Sequence, residues 1–289
     1  MISIVTPSFN QAKYLPFCLN SVRTQRLVGD IEHLVMDGGS TDGSLKIIKH
    51  FSDQLDYWDS KADNGQSAAI NAGFARARGD IFCWINSDDG LMDGAINIMR
   101  ESIGNFRDPA WGIGRCVIID ESGIKVDEWT PTRHNNLDYI LCWSKNYIMQ
   151  PAVFWNRKLW EESGILEEKL HYAMDFDLWL RFFQITKPIL VDDFIGIHRI
   201  HRDSKTSLVG QRIHDEYIWA LDNRLSLYPN LRRSGRRDVC ESLCQRANLN
   251  LFNKNYNEAV TAILKASSIS LINTLCLYFR TAARRINRI

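Results

Sequence analysis

No uninterrupted apolar stretch in this 289-residue sequence reaches bilayer-spanning length, and no basic leader with an apolar core precedes Ile2-Ser3-Ile4-Val5. The expectation is a soluble, cytoplasmic protein. Paired cysteines are scarce too: the seven fall at 18, 83, 116, 142, 240, 244 and 276. An odd, scattered set excludes a disulfide scaffold. Cys240 and Cys244, the only close pair, have no His pair nearby to complete a zinc site, and their i, i+4 spacing reads as one face of a helix. Reduced, mostly buried thiols are expected. The first strand-like run lacks G-x-G-x-x-G after it, as does the second, which argues against a dinucleotide-dependent dehydrogenase. A strong overall charge is also missing, but the net +1 hides a polarity. Residues 231–289 carry 11 Lys/Arg against 3 Asp/Glu, a balance of +8, which leaves −7 for residues 1–230. The acidic part suits cations, and the basic tail suits an anionic surface or solvent.

What is present centres on Gly79-Asp80-Ile81-Phe82-Cys83-Trp84-Ile85-Asn86-Ser87-Asp88-Asp89-Gly90. An apolar run of strand length ends in an amide, a hydroxyl and two adjacent carboxylates. Ligands of open α/β sheets bind at the carboxyl ends of strands. Neighbouring carboxylates repel unless a cation, hydrogen bonds or water relieve them. The rival reading is an acidic turn capping a helix that begins near Leu91.

Before this stretch, Ile2–Thr6 reads as a strand, Tyr14–Val22 as a helix, Ile31–Met36 as a second strand, and Leu45 to Phe51 as a second helix. That order, β-α-β-α, is the mark of a parallel α/β sheet. The loops are Pro7-Ser8-Phe9-Asn10 and Asp37-Gly38-Gly39-Ser40-Thr41-Asp42. A third helix starts near Ser67, after Asp63-Asn64-Gly65-Gln66, with small residues (Ala68, Ala69, Ala72, Gly73) fit for close packing on the sheet. Residues 111–129 read as a hairpin and 130–147 as a loop-rich connection. A strand follows Gln150, a helix spans Asp175 to Phe183, and Val191–Ile197 is a last strand. Asp177 and Arg181 are read as an i, i+4 pair on the helix surface. Beyond residue 206 the pattern is helical. The last segment, about 268–289, separates an apolar face from Arg280, Arg284, Arg285 and Arg288. It suits either an anionic membrane surface or packing on the protein. A basic run without stacking aromatics does not argue for nucleic acid.

Taken together and in this order, the Pro7–Asn10, Asp37–Asp42, Asp63–Asn71 and Trp84–Asp89 motifs resemble the family-two nucleotide-sugar glycosyltransferases over about residues 1–205. The resemblance implies a GT-A-like mixed sheet flanked by helices, with residues 206–289 as a C-terminal helical extension. It implies transfer of a sugar, with inversion, from a nucleoside-diphosphate sugar to a glycan or lipid-linked acceptor. A divalent cation (Mn²⁺ or Mg²⁺) and a place in bacterial surface-polysaccharide synthesis near the inner face of the membrane are implied with it. Thr6, Pro7, Asn10, Asp37, Asp63, Gln66, Asn71, Asn86, Ser87 and Asp88 would hold the donor. Asn86 stands where the family's "DxD" has its first Asp, so an acceptor oxygen is kept and a charge is lost. Asp88 and His201 would hold the metal, His201 opening a loop similar to the family's "HxxSKT" with Ser204-Lys205-Thr206. Asp175 matches the family's base, with Met174 in place of the usual preceding Glu. Asp89, Trp143 and Gln150 would border the acceptor. Asp37 and Asp175 also have local readings, as a turn aspartate and a helix cap. Two rival functions are a nucleotidyltransferase, which would release pyrophosphate, and a non-catalytic sugar-nucleotide or glycan-binding subunit. The first lacks a glycine-rich basic phosphate loop after strand one, and the second finds its best support in Asn86.

Overall fold

The computed structural model describes residues 1–104, 107–202, 204 and 212–275. Met1–Asn136 with Ile148–Val209 make one compact unit, and Leu137–Tyr147 with Gly210–Ile289 make a second.

The first unit opens with β1 (Ile2–Ser8), α1 (Leu15–Gln25), β2 (Ile31–Asp37), α2 (Ser44–Phe51), β3 (Tyr57–Ser60), α3 (Gln66–Phe74) and β4 (Ile81–Trp84). β1 pairs in parallel with both β2 and β4, and β2 with β3. Every residue of β1, β2 and β4 is buried, which is why each has an almost continuous apolar run. β3 is half-buried throughout, and its Tyr-Trp-Asp-Ser sequence carries no such run. Close packing of α3 on the sheet depends on Gly73: a Cβ there would lie 2.6 Å from a Val5 methyl.

The chain continues through β5 (Gly90–Leu91), α4 (Ala95–Ile103), β6 (Trp111–Ile119) and β7 (Lys125–Trp129). It then enters the second unit for two short helices, α5 (Leu137–Ile140) and α6 (Trp143–Asn146), and returns for β8 (Val153–Asn156), α7 (Arg157–Ser163), α8 (Met174–Ile185) and β9 (Ile189–Arg199). The strand order is β3-β2-β1-β4-β8-β6-β9-β5, with β7 paired to β6. The sheet is mixed: β8 runs antiparallel to β4 and β6, and β9 runs parallel to β6.

The helix expected near Leu91 begins later. Gly90 and Leu91 pair with Ile197 and Gly196 of β9, and α4 starts at Ala95 behind Gly94, whose φ of 79° suits glycine. Leu91 is buried in this ladder, so the acidic pair at 88–89 precedes a strand and caps no helix.

A layer of fully buried aromatics fixes α8 to the sheet. The Trp179 ring lies parallel to Trp84 (centroids 5.8 Å apart, 5° between planes) and to Trp111 (5.6 Å, 12°). Such ring pairs add about 0.5–1.5 kcal/mol each beyond the area they bury. The Asp177–Arg181 pair, expected on the surface, is buried instead. Both Arg181 Nε and Nη2 donate to Asp177 Oδ2, and Nη1 donates to the carbonyls of Ser163 and Gly164. The ion pair therefore ties α8 to the end of α7.

In the second unit, α9 (Arg212–Arg224), α10 (Pro229–Phe252) and α11 (Tyr256–Ile269) are joined by the 137–147 segment. The Ser144 amide and hydroxyl both donate to Asp238, whose carboxyl burial pushes up. Cys240 and Cys244 are buried on α10. Arg280, Arg284, Arg285 and Arg288, like Lys205 and Thr206, lie outside the described residues. Among the described residues no helix is long and apolar enough to cross a membrane.

Candidate active site

Three parallel strands end side by side. Ser8 of β1 lies opposite Asp37 of β2, and Asp37 lies opposite Ser60 of β3. The Asp37 carboxylate is committed to its own loop. It accepts from the Ser40 hydroxyl (2.5 Å), the Ser60 hydroxyl (2.7 Å), the Ser40 amide (2.9 Å) and the Gly39 amide (3.2 Å). The Asn10 amide donates to Ser40 Oγ and Asn10 Oδ1 accepts from the Thr41 amide, so the loops after β1 and β2 are joined. Asp63 Oδ1 accepts from the Gly65 amide. A Cβ on Gly38 would come within 3.2 Å of Asp63 and 3.3 Å of Phe9, so these three lie side by side. Phe9 is 61% exposed, which is unusual for its type. The sequence reading passed over it, although an aromatic at a strand-to-loop step was the available signal.

Thr6 and Pro7 are buried, on opposite faces of the sheet. The Thr6 hydroxyl is 3.0 Å from His33 Nε2, and burial first, then the Arg26 charge, push His33 down to about 3 against the opposing pull of Asp56. Asn71 is likewise buried: its amide donates to the Leu166 carbonyl (3.0 Å) and accepts from the Leu166 amide (2.9 Å). This clamps the segment before α8 against α3.

The turn after β4 forms the centre. Gln66 donates to Asn86 Oδ1 (2.7 Å); Asn86 donates to Asp89 (3.0 Å) and Gln150 (3.3 Å); Gln150 donates to the Trp84 carbonyl (2.8 Å). Ser87 is buried within the turn. His201 Nε2 lies 3.0 Å from Asp88 Oδ2, and its ring packs 4.4 Å from that of Tyr14. Burial and the neighbouring Asp89 charge push the Asp88 carboxyl up, with His201 opposing.

Asp89, expected at the acceptor, is almost completely buried: Oδ1 accepts from His198 Nδ1 and the Arg199 amide, both at 3.0 Å, and Oδ2 takes the Asn86 bond. Burial alone would lower the His198 imidazole, but Asp89 and Asp88 outweigh it and the net shift is upward. The parts played by His198 and Arg199 were missed from sequence. Two adjacent basic residues at the end of an apolar strand were the clue.

These residues fit a divalent cation. Hard ions of this size often take one or two protein ligands and complete their shell with substrate phosphates and water. Two ligands at about 2.1 Å on adjacent octahedral corners stand roughly 3 Å apart, the observed Asp88–His201 separation. A carboxyl pushed up beside a second carboxylate is the environment a cation relieves. Among the described residues no group of three or more His, Cys, Asp or Glu side chains is arranged as a metal cluster, so the protein's share would be these two.

Asp175 stands in the first turn of α8, with Oδ1 accepting from the Phe176 amide (2.7 Å). The start of α8 adjoins the start of α3, because Ser67 Oγ lies 2.9 Å from Met174 Sδ and donates to the Leu170 carbonyl. Through Gln66, the same end of α3 touches Asn86. Trp143 belongs to the second unit, where its indole donates to the Tyr217 hydroxyl (2.7 Å).

Known proteins share this chain's sequence family and fold. The chain is 40% identical over 193 residues to an uncharacterized glycosyltransferase of Mycobacterium tuberculosis (strain H37Rv), covering 66% of this chain and 71% of that one. An uncharacterized glycosyltransferase of Rickettsia conorii is 27% identical over 225 residues; the match takes in 75% of this chain but only 36% of the relative, so this chain spans about a third of it. Among solved structures, Staphylococcus aureus TarS residues 1–349 with UDP-GlcNAc superposes with a TM-score of 0.65 at 15% identity, covering 93% of this chain and 81% of that one. The mannosyltransferase PcManGT of Pyrobaculum calidifontis with GDP-Man and Mn²⁺ gives 0.53 at 14%, covering 99% and 80%. Both likenesses concern the fold, which is GT-A-like. The model of glycosyl transferase family 2 matches residues 3–163, from β1 through the acidic turn to the end of α7, and this chain belongs to that family.

Proposed function

We propose that this transferase is metal-dependent and inverting. It would move a sugar from a nucleoside-diphosphate donor to a hydroxyl of a glycan or lipid-linked acceptor in the assembly of a bacterial surface polysaccharide. The place of reaction would be the cytoplasmic face of the membrane. The observation that carries the reading is the meeting of Asp88 and His201 at 3.0 Å beyond the carboxyl end of β4. Further support comes from Asn86, held beside them by Gln66, Asp89 and Gln150.

In this reading the nucleoside lies over the loops after β1 and β2. Phe9 offers a ring face to the base, and Asp63 and Asn10 offer acceptor oxygens. Asp37 holds these loops in shape, Thr6 and Pro7 are the buried strand residues that lead into them, and Asn71 holds the segment before α8. Asp88 and His201 would hold the cation against the diphosphate, with Asn86 and Ser87 alongside. When bound, a divalent cation supplies positive charge to the departing diphosphate. Asp175 accepts the proton of the acceptor hydroxyl as that oxygen bonds to the anomeric carbon. The bond from that carbon to the phosphate oxygen breaks, the nucleoside diphosphate leaves, and one direct displacement inverts the centre. Gln150 borders the acceptor side. Asp89 acts as a support through His198.

Incubation of the full chain with UDP-, GDP- and dTDP-sugars and Mn²⁺ or Mg²⁺ tests this. Release of nucleoside diphosphate that EDTA stops is expected. Pyrophosphate released in a parallel incubation with nucleoside triphosphates and a sugar 1-phosphate would indicate a nucleotidyltransferase, and tight donor binding without turnover a non-catalytic subunit.

A further inference from the structure

Arg199 ends β9 and is buried at 4% exposure, yet among the described residues its guanidinium bonds carbonyls and no carboxylate. Its backbone amide donates to Asp89 Oδ1 (3.0 Å) and its Nε donates to the Asp88 carbonyl (3.1 Å). Nη1 donates to the carbonyls of Asp120 (3.1 Å) and Glu121 (3.4 Å) in the turn between β6 and β7. The guanidinium packs against the rings of Tyr14 (5.2 Å) and Phe17 (4.6 Å), and the Tyr14 ring in turn lies against His201. One side chain thus joins the acidic turn, the hairpin tip and the start of α1.

The choice of atoms matters. A guanidinium bonded to the Asp88 carboxylate would occupy the oxygens that a cation needs. Arg199 instead takes the Asp88 carbonyl, which fixes the turn and leaves the side chain turned toward His201. Because Nε and Nη1 point in different directions from one rigid plane, the two attachments are made at once, which a lysine ammonium cannot reproduce.

We propose that Arg199 is a positioning residue that sets the Asp88 carboxylate and His201 at cation-holding distance. The proposal rests on the metal-dependent reading above, and its test reads metal binding apart from turnover. Free Mn²⁺ is counted by electron paramagnetic resonance during titration of the full chain, with UDP or GDP present. Partners that orient a ligand from behind typically change metal affinity by about 10- to 100-fold. Arg199→Lys is therefore expected to weaken Mn²⁺ binding by about that factor, while the metal-free protein still melts cooperatively, at a lower temperature because buried carbonyls lose their donor. The control is Arg115→Lys, which alters an arginine stacked on Phe194 and paired with Glu128 away from the turn, and should bind Mn²⁺ like the parent. Should Arg199→Lys fail to fold, Phe17→Leu removes one ring face while keeping the arginine, and should weaken Mn²⁺ binding in the same direction. Unchanged Mn²⁺ affinity in a folded Arg199→Lys protein, or in Phe17→Leu where the first does not fold, overturns the proposal. Equal weakening by Arg115→Lys also overturns it, since the effect would then belong to the sheet at large. A parent chain that binds no Mn²⁺ with either nucleotide sinks the metal reading itself and the proposal with it.

Discussion

His201 Nε2 stands 3.0 Å from Asp88 Oδ2 across a sequence gap of 113 residues, which joins the end of β9 to the turn after β4. Either group alone is a weak cation ligand, and the pair depends on both segments being in place. Asp88→Asn and His201→Ala should each abolish the rise in melting temperature that Mn²⁺ gives in the presence of UDP or GDP. A binder of native protein must raise stability, so the readout is direct. Mn²⁺-dependent stabilisation that survives both substitutions would remove these residues from the metal site.

Asp175→Asn keeps the shape of the first turn of α8 and removes the proton acceptor. General bases typically contribute about 10²- to 10⁴-fold. The expected result is a fall in kcat of that order, with donor affinity, measured calorimetrically, close to that of the parent. Transfer at the parent's rate would show that the proton leaves by another route.

The Trp179 ring between Trp84 and Trp111 holds α8, and therefore Asp175, against the sheet. Trp179→Ala empties that space and should cost about 3–5 kcal/mol in urea unfolding. Trp179→Phe retains an aromatic face and also deletes an indole N–H that is buried without a hydrogen-bond partner. It should therefore cost much less. Equal losses from the two substitutions would show that ring stacking does not fix α8.

His33, held at about 3 by burial, stays neutral in the folded state while the unfolded imidazole titrates near 6.5. Its contribution is complete above pH 6.5 and is lost as pH falls toward 3, because the unfolded chain then binds the extra proton. Between pH 7 and pH 5 this linkage removes about 2 kcal/mol. His33→Gln, which can still bond Thr6, should lose markedly less over the same interval. Urea midpoints at the two pH values measure the difference; an identical pH dependence in both proteins would exclude His33 as its source.

The parts of the fold that were legible in sequence are those whose burial is uniform. β1, β2 and β4 are buried at every position, so their apolar runs mark the strand ends to within one or two residues. β3 was silent because an edge strand with half-buried residues has no such run. β5 was silent because two residues make no pattern, and its pairing to β9 displaced α4 from Leu91 to Ala95. Charge pairs misled in a different way. The i, i+4 spacing of Asp177 and Arg181 was visible, but whether that face met water or the end of α7 depended on a contact 17 or 18 residues away. In the candidate site, the acidic turn and its partners Gln66, Gln150 and His201 could be seen, and the supports from His198 and Arg199 could not. His198 and Arg199 reach Asp88 and Asp89 from more than 100 residues along the chain, and only the sheet order brings them there.

The excursion of 137–147 into the helical unit has a practical consequence for anyone cutting or recombining this gene. Because the chain enters that unit at Leu137, leaves it after Tyr147 and re-enters at Gly210, no single cut separates the two. A fragment trimmed near residue 205 would still carry Ile140, Leu141 and Trp143, buried in the intact protein, together with Ser144, but would lack Asp238 and Tyr217. It would display a greasy, unanchored flap three residues upstream of Gln150. A usable minimal fragment must therefore also have that flap replaced, and exchange of the helical unit between relatives requires two grafts made together.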